Sequence, residues 1–97
     1  MGNSLKSANF LMESRLRDAA RGDADALFDL GVAYSTGSGV AVDLIEAHKW
    51  FNLAAVSGLG PAQAARAEVA EDMTAREIAT AQAAARAWLH LSRARAA

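Results

Sequence analysis

Apolar positions in this chain recur every three to four residues, and glycine, proline and capping residues cut the pattern into five segments. That spacing predicts five helices and an all-α fold. The first runs over about 5–21, with Leu5, Ala8, Met12, Leu16 and Ala19 on one stripe. Gly22 stops it, and Asp23 is placed to cap the next. The second helix, about 24–36, offers Ala26, Leu30, Ala33 and Tyr34, and Gly37-Ser38-Gly39 forms the turn that follows. The third begins at Asp43, with Glu46 three residues on as a capping box. It buries Ala47, Trp50, Phe51, Ala54 and Ala55 and ends at Gly58. Gly60-Pro61 opens a fourth, about 61–72, because proline suits a first helical position. Its inward residues are Ala62, Ala65 and Val69. Thr74 and Glu77 make a second capping box, which starts a fifth helix with Ile78, Ala81, Ala85 and Trp88 on one face.

Two pairs in this punctuation share one spacing: Gly22 and Gly58, and Ala26 and Ala62, each stand 36 residues apart. A fixed period of this size marks a solenoid, whose units cannot bury their apolar faces alone. The first unit holds Ala26, Leu30, Gly31, Tyr34, Gly37, Gly39 and Val40 on its first helix and turn. Asp43, Ala47, Trp50, Phe51, Ala54, Ala55 and Gly58 follow on its second. This pattern resembles the Sel1-like repeat, an αα-hairpin related in architecture to the tetratricopeptide repeat. The second unit departs from it: a 36-residue shift puts Arg66 at Leu30, Ala67 at Gly31 and Ala70 at Tyr34, and the glycine-rich turn is missing. The resemblance implies a single domain over 1–97. It would comprise an N-terminal helix (5–21), one full repeat (24–58), and a degenerate repeat with a C-terminal capping helix (60–96). Together they would form a short right-handed αα-superhelix. It also implies a binding surface, not a reaction centre.

The repeat residues have physical roles. Glycine at position 31, in mid-helix, costs about 0.5–1 kcal/mol against alanine, which is tolerated where another helix must come close. Ala47, Ala54 and Ala55 are the matching small residues expected on the third helix. Tyr34, Trp50 and Phe51 then fill the space those alanines leave. Helical spacing favours this core role over a stacking platform for a base or cofactor.

Composition narrows the picture. The chain has 97 residues, enough for one small domain. Of these 25 are alanine, so helices should lie close together with bulk concentrated at a few contacts. Charge is nearly balanced, at 10 basic against 11 acidic groups, but residues 78–97 carry Arg86, Arg93 and Arg95 and no acid. Those arginines complement the negative end of a helix dipole. Nucleic-acid binding through them is a weaker alternative, because a polyanion demands a denser basic patch. There is no cysteine, and Met1–Arg17 lacks an apolar run of signal-peptide length, so a cytoplasmic protein outside the membrane is expected.

Candidate chemistry is sparse. His48 and His90 are the only histidines and lie far apart. His48 falls off the apolar stripe and is expected on the surface. Asp25 and Asp29 stand i,i+4, which reads as an exposed acidic face before it reads as an acid/base pair. No catalytic residue, metal site or cofactor is therefore expected.

In Sel1-like and tetratricopeptide repeats the first helix of each hairpin lines the binding face. By resemblance, the positions left free for a partner protein are Asp25, Leu27, Phe28, Asp29 and Val32. The 36-residue shift adds Ala64, Ala65 and Glu68. An apolar strip flanked by carboxylates suits an amphipathic segment bearing Lys or Arg. The other possibility is that the first helix folds across this strip and buries Phe28 and Leu27. The leading expectation is a protein–protein interaction module, monomeric or weakly dimeric. Structural self-association is the rival, and the convex face around His48, Lys49 and Asn52 is the second place to look for a partner.

Overall fold

The helix boundaries follow from local hydrogen bonds. In the computed structural model, which describes residues 3–96 and the side-chain surroundings of 9–93, the chain forms α1 (Asn3–Ala20), α2 (Ala24–Thr36), α3 (Leu44–Val56), α4 (Pro61–Ala70) and α5 (Ala75–Ala96). Leu5, Ala8 and Arg95 lie outside the described side chains. The Asp23 carboxylate accepts from the Ala26 N–H at 3.2 Å and caps α2. At the other end Gly37 takes φ 77° and donates to the Ala33 carbonyl at 2.8 Å, while Ser38 donates to the same oxygen. That left-handed turn favours glycine. A Cβ on Gly37 would also stand 3.0 Å from Val42 Cγ2.

The two expected capping boxes differ. At Thr74 both halves form: the Thr74 N–H donates to Glu77 Oε1 at 2.8 Å, and the Glu77 N–H donates to Thr74 Oγ1 at 3.1 Å. At Asp43 only one half forms, with the Glu46 N–H donating to Asp43 Oδ1 at 3.1 Å. The Asp43 N–H instead donates to the Tyr34 carbonyl, tying the start of α3 to α2. Glu46, freed from the box, pairs with Lys49 Nζ at 2.6 Å. Helix α4 also stops short of the expected residue 72: the Glu71, Asp72 and Met73 N–H groups turn back to the carbonyls of residues 68–70.

Helix α3 is the hub. It packs against α2, α4 and α5, whereas α1 packs against α2. Being enclosed on several sides, α3 buries Ala47, His48, Trp50, Phe51, Leu53 and Ala54. One core cluster joins Ala19 at the end of α1 to Leu27, Leu30, Trp50, Leu53 and Ala85. A smaller one gathers Ala47, Phe51 and Val69, and Phe28 and Tyr34 pack against both.

Gly31 lies where α2 meets α3, the close approach expected of a glycine in mid-helix, but its counterpart is an aromatic ring and not the alanines. An added Cβ would fall 2.5 Å from Phe51 Cδ1 and Cε1. The missing side chain is the space the ring occupies. Helix α5 is held by buried Ala81 and Ala85 and by an edge-to-face contact of Trp88 on Trp50, with ring centroids 5.9 Å apart.

Two expectations of burial and exposure fail as well. Leu16 is 40% exposed, because α1 is covered only along the narrow side that carries Met12 and Ala19. His48 is 3% exposed, not on the surface. A single-stripe reading of α3 assumed one neighbour, and the helix has several.

Candidate functional site

The packing of α2 on α3 leaves one side of α2 unfilled. Leu27, Leu30, Gly31 and Ala33 face the core. Phe28, one residue on from Leu27, is rotated about 100° around the helix. It reaches the gap above α3, where its ring sits 5.2 Å from that of Phe51 at a 51° tilt. Val32 lies a turn further along and is 38% exposed. Leu44 and Phe51 of α3 form the floor, and Ala65, Glu68, Val69 and Asp72 form the opposite wall on and just beyond α4. The result is a groove of about 410 Å³.

Its chemistry is simple. The hydroxyls of Ser35 and Thr36, at the end of the α2 wall, both donate to the Val32 carbonyl, at 3.0 and 2.8 Å. They are thereby turned back into their own helix. The side-chain charges at the groove are the carboxylates of Glu68 and Asp72, and no lysine or arginine lines it among the described residues. Asp25 and Asp29 are exposed on the adjoining stripe of α2, in helical register with Val32 and Thr36. The groove thus has an aromatic and aliphatic floor with acidic edges on both sides.

The structure divides the residues singled out from the sequence. Phe28, Val32, Ala65 and Glu68 come together in the groove, with Asp25 and Asp29 beside it. Leu27 does not belong to it: at 1% exposure it is core, facing Leu53 and Trp88 on the other side of α2. The alternative of burial is thus met by Leu27 and not by Phe28, since adjacent helical residues diverge. Ala64 is exposed and lies outside the groove lining. Leu44, Phe51, Val69 and Asp72 were not anticipated there. Asp72 was within reach of the 36-residue shift, which maps it onto Thr36. The first residue of α3, Leu44, carries no such signal.

The face around His48, Lys49 and Asn52 is not a free surface. His48 is buried, Lys49 is paired with Glu46, and Asn52 Oδ1 accepts from Arg66 Nη1. Burial, and then the nearby Arg66 charge, hold the His48 imidazole below its ordinary pKa, so its neutral form is favoured. Its Nδ1 has no hydrogen-bond partner. His90 is exposed on α5. A second concavity, about 260 Å³, lies between the α1–α2 turn and α5, with Arg21 and Arg93 beside Leu27, Leu53 and Trp88. Arg86 is exposed on α5.

Among the described residues no group of three His, Cys, Asp or Glu side chains is placed to hold a metal ion. No helix among them is long and apolar enough to cross a membrane. No family model, curated protein or solved structure matches the chain.

Proposed function

We propose that the chain is a Sel1-like αα-repeat module, a short right-handed superhelix that binds a segment of a partner protein in the groove between α2 and α4. The binding itself is the function, and no bond is made or broken. The repeat residues support the family reading. Gly31 and Phe51 interlock as a paired small and large residue, and Gly37 and Asp43 close the hairpin.

The observation that carries the functional reading is the groove's composition. Phe28, Val32 and Leu44 offer apolar area over the buried Phe51 ring, and the side-chain charge at its edge is acidic. An amphipathic helix with one apolar stripe flanked by arginine or lysine matches both features. Apolar contact supplies the affinity, and the carboxylates orient the segment and speed its encounter.

The test is a calorimetric titration with a synthetic amphipathic peptide of about 20 residues, beyond the length at which isolated helices are marginal, bearing arginines beside a Leu/Phe stripe. Binding is expected to weaken with added salt and to be lost in Val32→Arg, a change at an exposed position. A peptide of the same composition with scrambled periodicity should not bind. Equal binding of both peptides, or full affinity in Val32→Arg, would refute the groove as the site.

A further inference from the structure

We infer that the segment received by the groove is α1 of a second copy of this chain, so that copies associate head to tail. This rests on the reading of the groove given above and names its partner.

Helix α1 has the chemistry the groove demands. Phe10, the bulkiest of the exposed apolar side chains among the described residues, is 64% exposed. Arg17 follows it on the same helical face at i+7, Arg21 stands in the turn just past the helix end, and both are exposed, with the exposed Glu13 between Phe10 and Arg17. The opposite side of α1 is spent on its own molecule: Ala19 is buried and Met12 packs against the core. The outward line therefore presents an exposed aromatic ring and the Arg17 guanidinium, with Arg21 just beyond the helix end.

The dimensions agree as well. The α2 wall from Phe28 to Thr36 is about 12 Å long, and Phe10 to Arg17 spans about 10.5 Å at 1.5 Å per residue. A ring seated over Phe28 and Phe51 leaves Arg17 one groove-length away, within the reach of a long side chain to Glu68 and Asp72. A chain cannot fill its own groove in this way, because its α1 is docked on α2 with the outward face turned from it. Donor surface and groove are different patches, so the contact is heterologous. It propagates unless the rotation between copies closes a ring.

Sedimentation equilibrium of the full chain tests this, with circular dichroism confirming that each variant is folded. The wild-type mass should rise with concentration and fall back with salt. Phe10→Asp, which spoils the donor face, and Glu68→Lys/Asp72→Lys, which spoils the groove, should each remain monomeric. Mixed one to one, the two should form a dimer and nothing larger, because only one intact face and one intact groove remain. Val32→Arg serves as the groove variant if the double lysine change does not fold.

A wild type that stays monomeric to about 1 mM, the limit of weak specific association, would overturn the inference. So would a mixture that stays monomeric, or variants that associate as the wild type does. If the wild type is monomeric but the synthetic basic helix still binds, the groove reading stands and the occupant is a different protein. If that peptide also fails, both fall.

Discussion

Replacing Gly31 by alanine probes the contact on which the α2–α3 pair is built. Two effects oppose each other. In a helix interior alanine is favoured over glycine by about 0.5–1 kcal/mol. Against that, the new methyl would lie 2.5 Å from two carbons of the Phe51 ring and 2.9 Å from a third. The ring has little room to retreat. It is 3% exposed and is held by Phe28 on one side and by Ala47 and Val69 on others. Overpacking costs about 1–3 kcal/mol, and contacts this short belong in the upper half of that range. After a propensity gain of about 1 kcal/mol the net loss should be about 1–2 kcal/mol. For a domain of this length that lowers the melting midpoint by about 4–16 °C.

Thermal and guanidinium melts followed by circular dichroism measure the loss. A double-mutant cycle assigns it. In a Phe51→Leu background the flat ring is gone, so Gly31→Ala should become less costly and approach the helix-propensity gain. The reasoning fails if Gly31→Ala is neutral or stabilising in the wild-type background, or if its cost is unchanged by Phe51→Leu.

That same contact shows what could be read from the chain and what could not. Gly31, in the middle of a good helical pattern, announced a close approach. It did not announce which atom approaches, because that depends on how α3 is rotated against α2. The five helices were legible because their ends are written in local chemistry: Asp23, Gly37, Pro61, and the Thr74–Glu77 pair. The half-formed box at Asp43 was not, since its backbone N–H is claimed by Tyr34, nine residues back and on another helix.

Burial of His48 was illegible, and that of Leu27 was only one of two readings, for a related reason. Periodicity reports one buried stripe per helix, and the width of that stripe is set by the number of neighbours. Helix α3 packs against three others. The groove was half legible. Phe28, Val32 and Glu68 were named from the expected register, but Leu44 and Phe51 enter from the central helix, and only the folded chain shows that they form the floor.

Further perturbations separate the remaining parts of the argument. Trp88→Ala removes the edge-to-face contact on Trp50 that helps hold α5 on α3. It should destabilise by about 2–4 kcal/mol, toward the lower part of the large-to-small range because Trp88 is only partly buried. A melting midpoint within a degree of the wild type would show that α5 is not part of the core. Thr74→Ala breaks the reciprocal box at the start of α5 and should cost about 0.5–2 kcal/mol, read as a fall in the guanidinium midpoint. An unchanged midpoint would mean the α5 start is frayed.

His48 provides a test by pH. Its pKa is lowered in the folded chain, first by burial and then by Arg66, whereas in the unfolded chain it stays near 6.5. The unfolded state therefore binds the proton more readily, and the sign follows: stability from this group is fully present above about pH 6.5 and declines as pH falls below it, until the lower folded pKa is reached. The slope for one proton cannot exceed about 1.4 kcal/mol per pH unit. Guanidinium melts between about pH 7.5 and 5 should thus show a decline in the wild type that is shallower in His48→Gln, whose side chain takes up no proton. The comparison isolates one residue, because other groups titrating in that window contribute equally to both proteins. Parallel curves for the two would mean that His48 is protonated as easily folded as unfolded, and the imidazole could not then be sealed within the packing of α3.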